Sequence, residues 1–210
     1  MTNRSQVRRI PERASYDESA LFAILDEALV AHVSFAVAGQ PFVIPMAYGR
    51  QENTLLLHGS IASRLLETVA KGIETCVCVT LLDGLVLARS VFHHSMNYRS
   101  AVIFGTARII ESVDEKTQAL ERITNHIVPG RCTGARAPSR KEINATSVLA
   151  MPIADASVKS RQGPPKDNAG DMELDFWAGL IPISTRFGNP QPDAATTIPV
   201  PEHVARYRRG

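Results

Sequence analysis

The sequence predicts an antiparallel β-barrel with helical insertions, mainly β within the α+β class, and three observations carry that expectation. Apolar, β-branched runs of strand length recur through the chain. Hairpin-length connections join them in its first half, and short helical patterns opened by capping residues interrupt them. Ser15 with Glu18 three residues later forms a capping-box pattern, and Leu21, Ile24, Leu25 and Ala28 follow at helical spacing. From Ala31 to Val37 and from Phe42 to Tyr48 the pattern turns to strand, with Ala38-Gly39 as the hairpin turn. Thr54 to His58 is the next strand. It runs into Gly59 and Ser60 and then into a short helix that reaches Lys71 and stops at Gly72. Thr75 to Leu82 and Leu85 to His93 read as two strands about an Asp83-Gly84 turn. Val102 to Ile110 adds another. Ser112 with Glu115 opens a helix whose buried stripe is Ala119, Leu120, Ile123 and Ile127, and Pro129-Gly130 ends it. Ser139 with Glu142 repeats the device before a short helix. A strand from Ser147 to Ile153, a polar loop from Lys159 to Glu173 and an apolar segment from Phe176 to Ile183 complete a count of six to eight strands.

At 210 residues the chain suits a single domain over 1–210, with a core at about 10–187 and an extended tail over 188–210 spaced by Pro190, Pro192, Pro199 and Pro201. Hydrophobic residues at 44% and charged residues at 21% match a folded globular protein rather than a disordered one. No apolar run approaches the roughly 20 residues that span a bilayer, and no secretory leader pattern stands at the start, so no membrane role and a cytoplasmic location are expected. A net charge of +2 gives no global basic field for nucleic acid. Cys76, Cys78 and Cys132 are an odd count without paired spacing and read as reduced thiols.

The sharpest chemistry lies where the strand ending at His58 meets the helix after Ser60. Free amide hydrogens and the positive helix end favour an anion there, and Ser60 and Ser63 add hydroxyls. Arg64, a cation in the first turn, opposes the helix dipole unless an anion compensates it, and a guanidinium can hold a phosphate through two parallel hydrogen bonds. An ordinary serine cap followed by a solvated arginine fits the same residues. Pro45 cannot donate a ladder hydrogen bond, so its strand lies at an edge or a bulge, either guarded against aggregation or open to a ligand. His58 could serve as a proton donor or be satisfied by a carbonyl. His93 and His94 are successive and on a strand would point to opposite faces, so no metal site is expected. Trp177 either stacks on a ligand or fills the barrel mouth. No nucleophile elbow or Walker loop is present.

Arg9-Ile10-Pro11-Glu12-Arg13, Val43-Ile44-Pro45-Met46-Ala47-Tyr48, Leu57-His58-Gly59-Ser60 with Ser63-Arg64, Val79 to Leu87, Asn97-Tyr98-Arg99-Ser100 leading to Phe104-Gly105, and Trp177-Ala178-Gly179 occur in this order. Together they resemble the FMN-binding split-barrel proteins, the pyridoxamine 5'-phosphate oxidase-like family, and within it the nitroimidazole-resistance-related subgroup. The resemblance implies an antiparallel FMN-binding split barrel and a homodimer with FMN at the subunit interface. It places Val43, Ile44, Pro45, Met46 and Tyr48 on the first flavin strand, His58 and Gly59 on the second, the phosphate on Ser63 and Arg64 with Ser60 nearby, and Arg99, Ser100 and Trp177 beside the ring. Leu65 and Tyr48 stand where pyridoxamine-phosphate oxidases carry basic residues, and Leu180-Ile181-Pro182 where they carry a substrate-holding arginine and histidine, which argues against vitamin B6 oxidation. The expected function is an FMN-dependent oxidoreductase passing electrons from a donor such as NAD(P)H to a nitro-compound, quinone or dioxygen, with His58 as the candidate catalytic group. The alternative is a sensory or carrier module for flavin, haem or F420, with His58, His93 or His94 as axial ligand.

Overall fold

The computed structural model describes residues 2–209. The strands and helices are, in chain order, β1 (Ala14–Ser15), α1 (Glu18–Glu27), β2 (Val30–Val37), β3 (Gln40–Gln51), β4 (Thr54–Ser60), α2 (Arg64–Val69), β5 (Thr75–Leu87), β6 (Ser95–Gly105), β7 (Arg108–Ile109), α3 (Val113–Ile127), α4 (Arg140–Asn144), β8 (Thr146–Pro152), β9 (Asp155–Arg161), β10 (Gly179–Pro182) and α5 (Glu202–Ala205). They form a 10-stranded sheet in the order β1-β9-β6-β5-β2-β3-β4-β8-β7, with β10 on β5. Every pairing is antiparallel, and the sheet curls into a split barrel without closing. Among the described residues no helix is long and apolar enough to cross a membrane.

The β2–β3 hairpin follows from its turn. Ala38 and Gly39 both have positive φ (49° and 81°), the mirror-image turn whose twist suits a two-residue loop. Inside the barrel, Val33, Leu55, Leu57, Val77, Val79, Ala101, Ile103 and Leu149 meet Leu21, Ile24 and Leu25 of α1 and Leu65, Leu66 and Val69 of α2. Each such aliphatic contributes about 1.5–3 kcal/mol by leaving water. A second cluster lies outside the barrel, where Ala119 and Ile123 of α3 cover Leu56, Val148 and Ala150.

Several boundaries differ from expectation. Asp17, not Ser15, caps α1 by accepting from the Ser19 amide at 3.1 Å, and Ser15 sits in β1. Ser112 does cap α3, and Ser139 with Glu142 completes the reciprocal box at α4. Arg136 and the Ser139 cap hold the Glu142 carboxyl down at about 2. Asp83-Gly84 makes no hairpin: β5 continues through it with a register shift between Leu82 and Gly84, so the aspartate–glycine pair is a bulge in one long strand. The start of the expected polar loop lies inside β9, whose residues Arg161, Lys159 and Ser157 pair with Tyr98, Ser100 and Val102 of β6.

The C-terminal residues form more than an extended tail. Arg209 donates to the carbonyls of Asp26 and Glu27 at 2.6 Å, Ala28 at 3.2 Å, and His126. One guanidinium therefore caps the negative ends of α1 and α3 together. The Tyr207 hydroxyl adds a bond to the Ile127 carbonyl at 2.7 Å. No sequence pattern announces this docking, because the acceptors are backbone carbonyls far away in the chain.

His126 lies under that clamp, its Nε2 2.9 Å from the Ala28 carbonyl and 3.0 Å from an Arg209 nitrogen. Burial chiefly, with the Arg209 charge, pushes its pKa below the ordinary value, the Ala28 carbonyl opposing in part. The unfolded chain therefore takes up this proton more readily, and stability present above about pH 6.5 is lost as pH falls. The melting temperature is expected to drop between pH 7 and pH 5, and His126→Gln to flatten that slope in a thermal melt series.

Candidate functional site

The barrel is split at a definable place. Gln40 to Ala47 of β3 pair with β2, and the strand then changes partner so that Tyr48 to Gln51 pair with β4. Beyond the Tyr48–Leu57 pair the two strands part. His58, Gly59 and Ser60 stay paired only with β8, and the edge of β3 from Phe42 to Ala47 has no strand beside it. Pro45 lies midway along that edge, where a missing amide hydrogen breaks no ladder.

The mouth of the split is built by the β4–α2 turn. The Ser63 amide donates to the Ser60 carbonyl at 2.9 Å, and Ser60 Oγ accepts from the Ala62 amide at 3.2 Å. Ser63 is the N-cap of α2, yet its hydroxyl bonds no helix amide, and the first intrahelical bond runs from the Glu67 amide to its carbonyl. The leading amides of α2 thus lack helix acceptors. Leu66 packs close over Gly59, where a Cβ would lie 2.9 Å from Leu66 Cδ1 and would have to push that side chain aside. Arg64 is exposed and reaches back over the split, its guanidinium carbon 5.4 Å from the centre of the Phe42 ring. It has no carboxylate partner among the described residues.

Strand alternation sorts the other predicted residues. Val43 and Pro45 share the outer face with their cross-strand partners Ser34 and His32, and Val43 is 58% exposed. Ile44 and Met46 pair with the core residues Val33 and Ala31. His58 pairs with Val148 of the outer cluster and so faces outward beside the split. Its Nδ1 is buried without a hydrogen-bond partner, and desolvation pushes its pKa down, so at neutral pH it is an uncharged imidazole awaiting a donor or acceptor.

Tyr48 is a correction. Its side chain is sealed in the core and donates to the Leu25 carbonyl at 2.6 Å, and burial raises its pKa, so that side chain ties α1 to β3 and does not face a ligand. Arg99 is a second. Its guanidinium binds both carboxylate oxygens of Glu27 and both of Asp83, which raise its pKa and leave it committed to an ion-pair network. The neighbouring Ser100 faces the other way, opposite Thr80 and Lys159, and donates to the Lys159 carbonyl at 3.0 Å. Trp177 neither fills the barrel mouth nor nears the split. Its indole is 68% exposed and folds against Gly179, where a Cβ would sit 2.7 Å from Cζ2. Gly179 pairs with Leu87 of β5, whereas Pro45 connects through His32 to Cys78 of the same strand. From Cys78 to Leu87 is about 30 Å of strand, so one copy of the chain cannot close both around a single ring.

Sequence reasoning missed His32, which is exposed and pairs with Pro45. The turn at Ala38-Gly39 sets Val37 against Gln40, and counting outward from it brings His32 to Pro45, so the signal was in the chain. It also missed what holds the turn before β6. The Asp167 carboxylate accepts from the Arg89 amide at 2.9 Å and its guanidinium at 3.1 Å, and His94 Nδ1 lies 3.1 Å from the Ser90 carbonyl. Between them Val91 and Phe92 stand 82% and 89% exposed.

Residues 17–160 match the family model described as pyridoxamine 5'-phosphate oxidase. The flavocytochrome Anf3 from Azotobacter vinelandii is 37% identical over 100% of this chain and 98% of its own, with a TM-score of 0.94. A FAD and heme binding protein from Mycobacterium smegmatis is 39% identical over 91% of this chain and 95% of its own, with a TM-score of 0.87. A putative 5-nitroimidazole antibiotic resistance protein from Bacteroides thetaiotaomicron shares the fold at 24% identity, over 70% of this chain and 85% of its own, with a TM-score of 0.60. No curated protein sequence matches the chain.

Proposed function

This chain belongs to the pyridoxamine 5'-phosphate oxidase family, and from that premise we propose that it is a flavin-binding redox protein whose cofactor lies along the unpaired edge of β3. One observation carries the reading: β3 and β4 part beside an arginine that has no carboxylate partner among the described residues, so a flat ring finds a free backbone edge where a phosphate finds a cation. Ser60, Ser63, Arg64 and the first amides of α2 hold the phosphate, while Val43 and Pro45 line the ring. His58, whose Nδ1 has no partner among the described residues, hydrogen-bonds the ring, and in its charged form, which burial disfavours, it would donate a proton to a substrate. A bound flavin supplies hydride and electron transfer, so no catalytic triad is needed from the chain.

The cofactor is the FMN of the expectation or the FAD named for the Mycobacterium smegmatis structure, the two sharing the riboflavin phosphate that Arg64 addresses. The distance between the split and Trp177 supports a homodimer in which the second copy brings Ser100 and Trp177 to the ring. A reduced nicotinamide donor and a small acceptor, nitro-compound, quinone or dioxygen, complete the oxidoreductase reading, with the cytoplasm as its place of work. An absorption spectrum of the purified protein tests it. Flavin bands released on denaturation, or acquired on adding FMN or FAD, are expected; a protein that takes up neither contradicts it.

Haem is a second ligand of the same reading, because two structures described with haem or as a flavocytochrome align over nearly the whole chain. Of His58, His93 and His94, only His94 has a ring nitrogen held by backbone, its Nδ1 3.1 Å from the Ser90 carbonyl and 3.3 Å from the Ala88 amide, which orients the imidazole and leaves Nε2 free to ligate in the tautomer that carries the proton on Nδ1. It stands beside the exposed Val91 and Phe92, an apolar setting suited to a porphyrin. His94→Ala is expected to remove a Soret band while flavin content is unchanged; a retained Soret band assigns the ligand elsewhere.

A further inference from the structure

The long strand β5 leaves a window in the sheet. Its pairing with β6 runs from Thr75 to Val86 and occupies one edge. Two strands share the other edge. β2 covers Cys76 to Cys78, and β10 covers Gly84 to Leu87, with one more bond from the Ile183 amide to the Asp83 carbonyl at 3.0 Å. Between them, among the described residues, Val79 to Leu82 have no strand beside them on that side. A free antiparallel edge presents the N–H and C=O groups of alternate residues, so this stretch carries unspent donors and acceptors.

The chain after β10 roofs the window without filling it. Thr185 and Phe187 stand over it beside Val30 of β2, and a cavity of about 260 Å³ remains. Val30, Leu81 and Phe187 form its apolar walls, Thr80 and Thr185 bring hydroxyls, and His32 stands on its border. The Tyr207 ring holds Phe187 edge-on, 4.7 Å between centres, and the Ile127 carbonyl holds Tyr207. The docked C-terminal residues therefore build one wall of this cavity.

Two charged side chains border it, and both are spent. Glu27 gives both its oxygens to Arg99, and Arg209 gives its N–H groups to the carbonyls that end α1 and α3. A charged ligand would leave water for a space without a counter-charge, whereas a neutral one would not. Size adds a second limit, since the volume lies just below the usual range for ligand pockets and suits a small ring system, not a dinucleotide. His32 joins the cavity to the flavin edge, because it pairs directly with Pro45, one strand spacing of about 4.8 Å away.

We propose that this cavity binds a neutral quinone, the electron acceptor of the protein. Apolar walls take the flat ring, and the hydroxyls and strand-edge amides donate to its carbonyl oxygens, which accept hydrogen bonds more strongly than nitro oxygens do. Binding stands on the cavity alone; the acceptor role rests on the flavin reading. In that role the quinone gains two electrons and two protons and leaves as the hydroquinone. All of them come from the two-electron-reduced flavin, which returns to its oxidised form.

Equilibrium dialysis of the full-length protein as purified against duroquinone tests the site, the four ring methyls of this probe keeping it from adding to Cys76 and Cys78. Saturable binding is expected, roughly tenfold tighter than that of durene, which has the same methyls and no oxygens. Thr80→Trp, at an exposed position where an indole would fill the cavity, should abolish it. Phe187→Ala should weaken it roughly tenfold, and it keeps the test valid if Thr80→Trp fails to fold. Absent saturable binding, equal binding of durene, tighter binding of 1,4-dinitrobenzene, or binding unchanged by either substitution overturns the proposal. With flavin bound and reduced under nitrogen, duroquinone should reoxidise the wild type at least about tenfold faster than Thr80→Trp, while dioxygen reoxidises both alike. Equal rates with duroquinone overturn the acceptor role. Dialysis reads binding with or without flavin, so failure of the flavin reading leaves that result standing.

Discussion

Arg64→Ala is expected to weaken FMN binding by roughly tenfold to a hundredfold while the protein stays folded. The magnitude follows from losing one charge-assisted, two-pronged contact with a phosphate, about 1.5–3 kcal/mol. The fold should not notice. Arg64 is exposed and pairs with no carboxylate among the described residues, and its guanidinium lies over the face of Phe42. Fluorescence titration of cofactor-free protein with FMN reads the affinity, and a thermal melt without flavin reads the fold. Unchanged affinity removes the phosphate assignment, and Arg64→Lys should recover only part of the loss, since an ammonium keeps the charge without the fork.

Gly49→Ala should produce the largest loss of stability of any single methyl group added to the barrel. Gly49 lies in β3 under α3, and a Cβ there would stand 2.9 Å from Ile123 Cα and 3.1 Å from Ile123 N. Those are backbone atoms, so no rotamer change relieves the overlap and the whole helix must move off the sheet. Overpacking of this kind costs about 2–3 kcal/mol, which in a domain of this size lowers the melting temperature by roughly 5–10 °C. Gly170→Ala is the control, because nothing lies within 4 Å of its added carbon and the melt should not change. An unaltered melting temperature for Gly49→Ala would show that α3 is not seated against β3 as described.

Legibility in the sequence divided along a physical line. The β2–β3 hairpin, the Ser112 and Ser139 caps and the helix start after Ser60 were readable because each depends on residues a few positions apart. Asp83-Gly84 misled for the same reason: its local chemistry is that of a turn, but β6 pairs on both sides of it and holds β5 extended. β9 was hidden because one of its faces carries aspartate, serine, lysine and arginine, most of them buried in the fold, so its alternation is between polar and small residues. At the candidate site, Ser60, Ser63 and Arg64 could be named from their order, and Pro45 from its missing donor. Tyr48 and Arg99 could not be placed, since what engages them, the Leu25 carbonyl and the Glu27 and Asp83 carboxylates, lies on elements far from them in sequence. The Arg209 clamp was invisible for that reason too.

The central claim is that the turn at residues 60–64 is built for a phosphate. Parallel titrations of the cofactor-free wild-type protein with FMN and with riboflavin, identical in ring and ribityl chain but differing in the phosphate, test it most directly. FMN is expected to bind roughly a hundredfold more tightly in the wild type, and the gap should shrink to within a few-fold in Arg64→Ala. Equal affinities for the two ligands in the wild-type protein would contradict it.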